Sequence, residues 1–236
     1  MDLLKCLPCA ATLANLAAGV TACAFAVRGH PEAGALLLLV AVLLDSLDGA
    51  LARTFEATSA FGAELDSLAD VVSFGVAPAV LAGSMLPEDM STAGWMLLLT
   101  FPLCAAWRMA RFNVIARDAD HGEFAGLPST GAGAAAAAAI MLHAHLQEIG
   151  VPGTSTLLPW ALVVLAALMV SRVPYRHAGH VVGRLRPSVV AVLAVGFIVG
   201  SVFWHHEYLF AALTWGYALA SPLHMAGVKI GAVRHA

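Results

Sequence analysis

The sequence predicts an all-α, polytopic membrane helical bundle of about eight transmembrane helices. Three observations predict it. First, 60% of the 236 residues are hydrophobic and 11% charged, where a soluble domain carries roughly 25% charged residues. Mean hydropathy is accordingly +0.84. Second, the apolar residues gather into segments of about 20, the length that crosses a bilayer as a helix. Third, once those segments alternate in direction, the basic residues fall almost entirely on one side.

The expected spans are 8–27, 33–54, 62–86, 92–114, 128–147, 156–172, 188–204 and 208–228. Met1 to Lys5 leads straight into the first, which reads as a retained helix rather than a cleaved signal. Arg28-Gly29-His30-Pro31 separates the first from the second, and Leu86-Pro87-Glu88-Asp89 the third from the fourth. The fifth holds Gly131 to Ile140, GAGAAAAAAI, whose small residues are expected to let helix backbones approach closely. Gly150-Val151-Pro152-Gly153 and Arg184-Leu185-Arg186-Pro187 delimit the sixth, a short one. With a cytoplasmic amino terminus, Lys5, Arg53, Arg108, Arg111, Arg117, Arg172, Arg176, Arg184, Arg186, Lys229 and Arg234 lie inside and only Arg28 outside, so eleven of the twelve basic residues are inside. That bias orients the chain. A single integral membrane domain, 1–236, in the cytoplasmic membrane is expected.

Several classes are disfavoured. The net charge is −3, and no basic tract carries interleaved aromatics, so nucleic acid is not an expected partner. Cys6 and Cys9 have CxxC spacing without a second ligand pair. With Cys23 and Cys104 they read as packing residues. The ten histidines read as solvated or interfacial. Trp95, Trp160, Trp204 and Tyr208 read as an aromatic belt.

Against this background one stretch stands out: DSLDGALARTFEATSAFGAELDSLAD, Asp45 to Asp70. A carboxylate in hydrocarbon costs on the order of 2.5–3.5 kcal/mol, so four of them need a use. On a helix Asp45 and Asp48 lie ~60° apart, and Asp66 and Asp70 ~40° apart, so each pair shares a face. The polar segment 53–61 is long enough to turn the chain, and two antiparallel helix ends would then aim both pairs at one volume. Four carboxylates cannot all stay ionised there uncompensated. Oxygen donors at close quarters suit Mg²⁺, Mn²⁺ or Ca²⁺, and carboxylates shared between two such ions can clamp a phosphoryl group. Gly49, Ala52 and Gly62 keep side-chain bulk low beside them. Arg53 can pair with a phosphate or simply anchor the inner face.

Written out, the stretch is D-x2-D-G-x2-A-R-x8-G-x3-D-x3-D, through Asp45, Asp48, Gly49, Ala52, Arg53, Gly62, Asp66 and Asp70. It resembles the signature of the CDP-alcohol phosphatidyltransferase family at all eight fixed positions. The flanks FGAELDSLADVVSFGVAPA (61–79), RMARFN (108–113), FAGLPS (124–129), LMVSRVPY (168–175), ASPL (220–223) and TLANLAAG (12–19) are similar to its phosphatidylserine synthase branch. Two positions depart: Cys9 stands where relatives often carry Asn, and Thr130-Gly131 where a second proline would be expected.

The resemblance implies transfer of a phosphatidyl group from CDP-diacylglycerol to the hydroxyl of L-serine, releasing CMP. It implies two divalent cations, Mg²⁺ or Mn²⁺ with Ca²⁺ as a substitute, on Asp45, Asp48, Asp66 and Asp70. Asp70 is the implied general base and therefore the least tightly coordinated of the four. Asp48, Gly49, Ala52, Arg53 and Gly62 would surround the cytidine and its phosphates, with Thr12 and Asn15 completing the pocket. The resemblance also implies a homodimer among membrane lipids and an active site at the cytoplasmic ends of the second and third spans. Arg108 and Arg111 share a face and suit serine's carboxylate or the lipid phosphate as well as anchoring. Asn113 and Ser129 are weaker hydrogen-bonding candidates, and Glu64 suits an ammonium or the interface. Two alternatives stand: the same transfer to glycerol phosphate, inositol phosphate or another alcohol, and a cation transporter, whose carboxylates would be expected nearer the midplane.

Overall fold

The structure is a computed structural model that describes residues 3–55, 59–87, 92–118, 126–175 and 206–234. All regular structure among these residues is helical. The helices are α1 (Leu3–Val27), α2 (Pro31–Thr54), α3 (Ala60–Val71), α4 (Ala77–Ser84), α5 (Thr92–Asp118), α6 (Ser129–Glu148), α7 (Thr154–Val170) and α8 (His206–Arg234). The expected span 188–204 lies outside the described residues. Among the described residues two stretches, Leu7–Val27 and Ala60–Ser84, are long and apolar enough to cross a membrane.

The helix ends follow their sequence signals. α1 stops at Arg28-Gly29, where Gly29 takes φ 78° and His30 N–H returns to Phe25 O at 2.9 Å. That left-handed position favours glycine. Pro31 then opens α2 in the first turn, where its missing N–H costs nothing. Ser59 caps α3, its hydroxyl accepting from Gly62 N–H at 3.0 Å.

The expected third span is a helix with a register change inside it. Val72–Val76 forms a π turn between α3 and α4, closed by Ala77 N–H on Val72 O. Pro78, just beyond, has no N–H to offer the carbonyl four residues back, which removes one competitor for the ordinary register. The turn directly follows Asp70, and such single π turns recur at functional positions.

Packing around this turn is tight. Phe74 is fully buried, and a Cβ on Gly133 of α6 would meet its ring at 2.6 Å. A Cβ on Gly75 would come within 3.0 Å of Ala105 on α5. The alanine run of α6 behaves as the small-residue expectation held: Ala132, Ala135, Ala136, Ala137 and Ala138 are all buried. α1 pairs with α2, α5 with α7, and α6 touches α2, α7 and α8. α1 thus packs against both aspartate-bearing helices, α2 and α3, and α6 closes on α2.

Candidate active site

The carboxylates of α2 and α3 converge. One ligand atom from each of Asp45, Asp48 and Asp66 lies within 4.8 Å of the other two. Asp70 stands outside that trio, with Asp45 as a close electrostatic neighbour. Asp48 and Asp70 are buried, Asp45 and Asp66 half-buried. The Oδ1 atoms of Asp66 and Asp70 are buried with no hydrogen-bond partner. Clustered anionic oxygens, two of them orphaned, fit a hard divalent cation, which takes oxygen ligands. Without one, like charges would repel at close range in a poorly screened site.

A cleft of ≈ 160 Å³ opens beside the trio. α2 contributes Asp48, Gly49 and Ala52 to its wall, and α3 contributes Gly62 and Asp66. α1 supplies the third wall with Cys9 and Thr12. The Thr12 hydroxyl lies 2.8 Å from Asp48 Oδ2 and 3.0 Å from Pro8 O. A Cβ on Gly62 would press on Ser59 Oγ at 3.1 Å, disturbing the cap of α3. Asn15 does not reach this cleft. It is fully buried one turn further along α1, where its carbonyl accepts from Ser73 Oγ at 3.0 Å and its amide atoms have no partner. The Arg53 side chain lies outside the described part of the structure, although its backbone is in α2.

The two arginines of α5 part company. Arg108 Nη1 donates to Ser129 Oγ at 3.2 Å, and its charge acts on Asp70 and Asp45. Arg111 Nη1 donates to Val170 O at 3.2 Å, satisfying a carbonyl at the end of α7. Ser129 passes the Arg108 contact on, its hydroxyl donating to Asp70 Oδ2 at 2.8 Å. Asn113 pairs with Ser67 of α3, donating through Nδ2 at 3.0 Å, with Glu64 at the edge of reach at 3.5 Å.

Three participants escape sequence reasoning. Thr130 Oγ1 donates to Asp45 Oδ2 at 3.0 Å. In sequence Thr130 is notable only for standing where proline would be expected. Tyr217 of α8 lies near Arg108 electrostatically, and a Cβ on Gly131 would meet its ring at 3.2 Å. The Tyr175 ring lies tilted at 54° to that of Tyr217, centroids 6.0 Å apart, and its hydroxyl donates to Ala218 O at 2.7 Å. Burial, then Tyr217, pushes the Tyr175 phenol up to about 12, so it stays a donor. Tyr217 has no sequence signal, and Tyr175, although it ends the segment LMVSRVPY, has no local link to residues on α5 and α6.

Residues 5–172 match the family described as CDP-alcohol phosphatidyltransferase. The chain belongs to that family. Its relatives include a CDP-diacylglycerol–serine O-phosphatidyltransferase of Mycobacterium bovis, 37% identical over 202 residues, or 81% of this chain and 69% of the relative. A protein of the same name from Helicobacter pylori is 32% identical over 164 residues, covering 69% of this chain and 68% of its own. A third, from Methanocaldococcus jannaschii, is 35% identical over 139 residues, covering 59% and 61%. The family match spans α1 to α7, which carry every aspartate of the site.

Proposed function

We propose that this chain transfers the phosphatidyl group of CDP-diacylglycerol to the hydroxyl of L-serine, giving phosphatidylserine and CMP. The observation that carries this is the meeting of three carboxylates from two helices beside a small-residue cleft, with a fourth held separately by a hydroxyl. The choice of serine rests on the relatives' names.

Asp45, Asp48, Asp66 and Asp70 would hold two divalent cations, Mg²⁺ or Mn²⁺. When bound, these supply charge neutralisation at the pyrophosphate and stabilise the departing CMP. The rest is done by the chain's own groups. Gly49, Ala52 and Gly62 let the nucleotide lie against backbone, and Thr12 orients Asp48 from the third wall. Arg53 suits a phosphate. Asp70 takes the proton of the acceptor hydroxyl, a weak nucleophile that needs a positioned base. Its Oδ1, without a donor of its own, is the atom for that proton. Arg108 has N–H groups beyond the one given to Ser129, and its Nε is buried without a partner. Those donors suit the acceptor's carboxylate, since a guanidinium carries five in a planar fork. Arg111 also engages Val170 O, so its part in binding is the lesser one.

The site belongs to a membrane bundle of about eight spans, one domain over 1–236, with the carboxylates at the cytoplasmic ends of the second and third. Basic residues on one side support the orientation. Leu99, Leu103 and Trp107 on α5 are more than half exposed, as a lipid-facing surface would be. A homodimer fits the same family reading. The test is direct: purified protein, CDP-diacylglycerol and Mn²⁺ or Mg²⁺, with labelled serine set against glycerol 3-phosphate and inositol phosphate. Serine incorporation with CMP release is expected. Vigorous use of another alcohol without serine would overturn the acceptor.

A further inference from the structure

We infer that Ser129 and Thr130, adjacent at the amino end of α6, are positioning residues that each fix one carboxylate of the site. Ser129 fixes Asp70 from α3, and Thr130 fixes Asp45 from α2. The inference rests on the transferase reading above and deepens it.

The direction of the hydrogen bonds follows from the donor inventory. A guanidinium only donates, and a serine hydroxyl has one proton. Ser129 Oγ accepts from Arg108 at 3.2 Å, so its own proton goes to Asp70 Oδ2 at 2.8 Å. The order is Arg108, then Ser129, then Asp70, and polarisation runs the same way. Thr130 has its own partner, donating to Asp45 Oδ2 at 3.0 Å. Each hydroxyl thus commits one oxygen of a carboxylate. At Asp70 the other oxygen, Oδ1, is left buried and without a hydrogen-bond partner.

The platform is rigid. Ser129 is the first residue of α6, and Ala132 N–H closes the first turn on Pro128 O at 2.9 Å. The chain before it is pinned to α7 and its exit: Leu127 N–H donates to Leu168 O at 3.0 Å and Gly126 N–H to Val173 O at 2.8 Å. Leu127 is fully buried, and Gly126 takes φ 97°, where a Cβ would strike Met169 O. Successive residues on a helix project ~100° apart, so neighbouring hydroxyls can serve carboxylates on two different helices. Proline at 130 would have no donor, so the hydroxyl on Asp45 is a feature of this chain.

The consequence divides between the two residues. Ser129 governs the proton-accepting carboxylate and acts on turnover. Thr130 governs a cation-holding carboxylate and acts on metal affinity. Purified full-length protein carrying Ser129→Ala, Ser129→Thr, Thr130→Val or Thr130→Ser separates these roles. Ser129→Ala should lower kcat about 10–100-fold with KM for CDP-diacylglycerol within about twofold, the order expected when a supporting group is lost. Ser129→Thr, which keeps the hydroxyl, should recover most of it. Thr130→Val should weaken Mn²⁺ binding, read by electron paramagnetic resonance of the free ion, by about tenfold. Thr130→Ser, which keeps the hydroxyl, should restore the affinity. Wild-type kcat in Ser129→Ala, or loss in kcat that Ser129→Thr fails to rescue, would overturn the Ser129 half. Unchanged Mn²⁺ binding in Thr130→Val would overturn the other. If wild-type protein transfers phosphatidyl to no alcohol, the transferase reading itself falls and the Ser129 role with it, while the Mn²⁺ titration still decides Thr130.

Discussion

Two cavities open among the described residues; they share no helix and differ in almost everything else. One, of ≈ 380 Å³, lies between α6, α7 and α8 and is walled by residues such as Leu142, Leu146, Leu157 and Leu158. The other, of ≈ 160 Å³, lies between α1, α2 and α3 and meets Asp48, Asp66 and Thr12. His143, which lines the first, is 14 residues from Ser129, about 21 Å along α6. Size alone would favour the apolar cavity, since large apolar pockets are the usual first guess for a binding site. Chemistry favours the smaller. Phosphoryl transfer needs charge placed where charge develops, and the larger cavity offers one histidine and one threonine. The lesson is that in a chain this apolar, a hydrophobic hollow is ordinary and a meeting of carboxylates is not.

The contrast can be broken by substitution. The largest effect is expected from Asp70→Asn: transfer should fall by about 10²–10⁴-fold, the usual worth of a positioned proton acceptor. Binding of CDP-diacylglycerol, measured by equilibrium titration, should stay within about threefold. Loss of binding instead would make Asp70 chiefly a cation ligand. Next is Asp66→Ala, which should weaken Mn²⁺ and CDP-lipid together, by at least about tenfold given what even supporting groups cost at metal sites. Unchanged metal affinity would contradict a shared cation site.

Smaller effects sharpen the comparison rather than break it. Gly133→Val would drive a side chain into the Phe74 ring at the π turn, and overpacking of this kind costs about 1–3 kcal/mol. A lower Tm with residual transfer is expected; an unchanged Tm would mean that the turn is looser than it looks. Least of all, His143→Leu should leave transfer within about twofold. Both ring nitrogens are buried without partners, so their removal should also stabilise the fold by roughly the cost of an unsatisfied buried group, ~1 kcal/mol or more, and raise Tm. A tenfold loss of transfer would give the larger cavity a part in the chemistry.

Much of this was legible in the sequence, and the rest was hidden for physical reasons. Helix ends follow turn chemistry, so the expected span 33–54 meets α2 at Pro31–Thr54, and 128–147 meets α6 at Ser129–Glu148. The π turn was not legible, because hydropathy does not report which carbonyl an N–H chooses. The aspartates were legible because their spacing on each helix puts each pair on one face, a local property. Thr130 and Tyr217 were not, since their contacts span 85 residues in one case and reach a separate helix in the other. Asn15 shows how two residues on one face can meet different surroundings. It shares a face with Thr12, yet Ser73 of the π turn packs against its backbone and it lies outside the cleft.

The central claim is that aspartates from α2 and α3 act on one shared ionic centre. The most direct measurement is the stoichiometry of Mn²⁺ bound to purified wild-type protein at saturating CDP-diacylglycerol, by electron paramagnetic resonance. The account predicts two bound ions per chain, close enough to couple magnetically, and loss of that coupling in Asp45→Asn. Failure to bind Mn²⁺ saturably, or two uncoupled ions indifferent to Asp45, would contradict it.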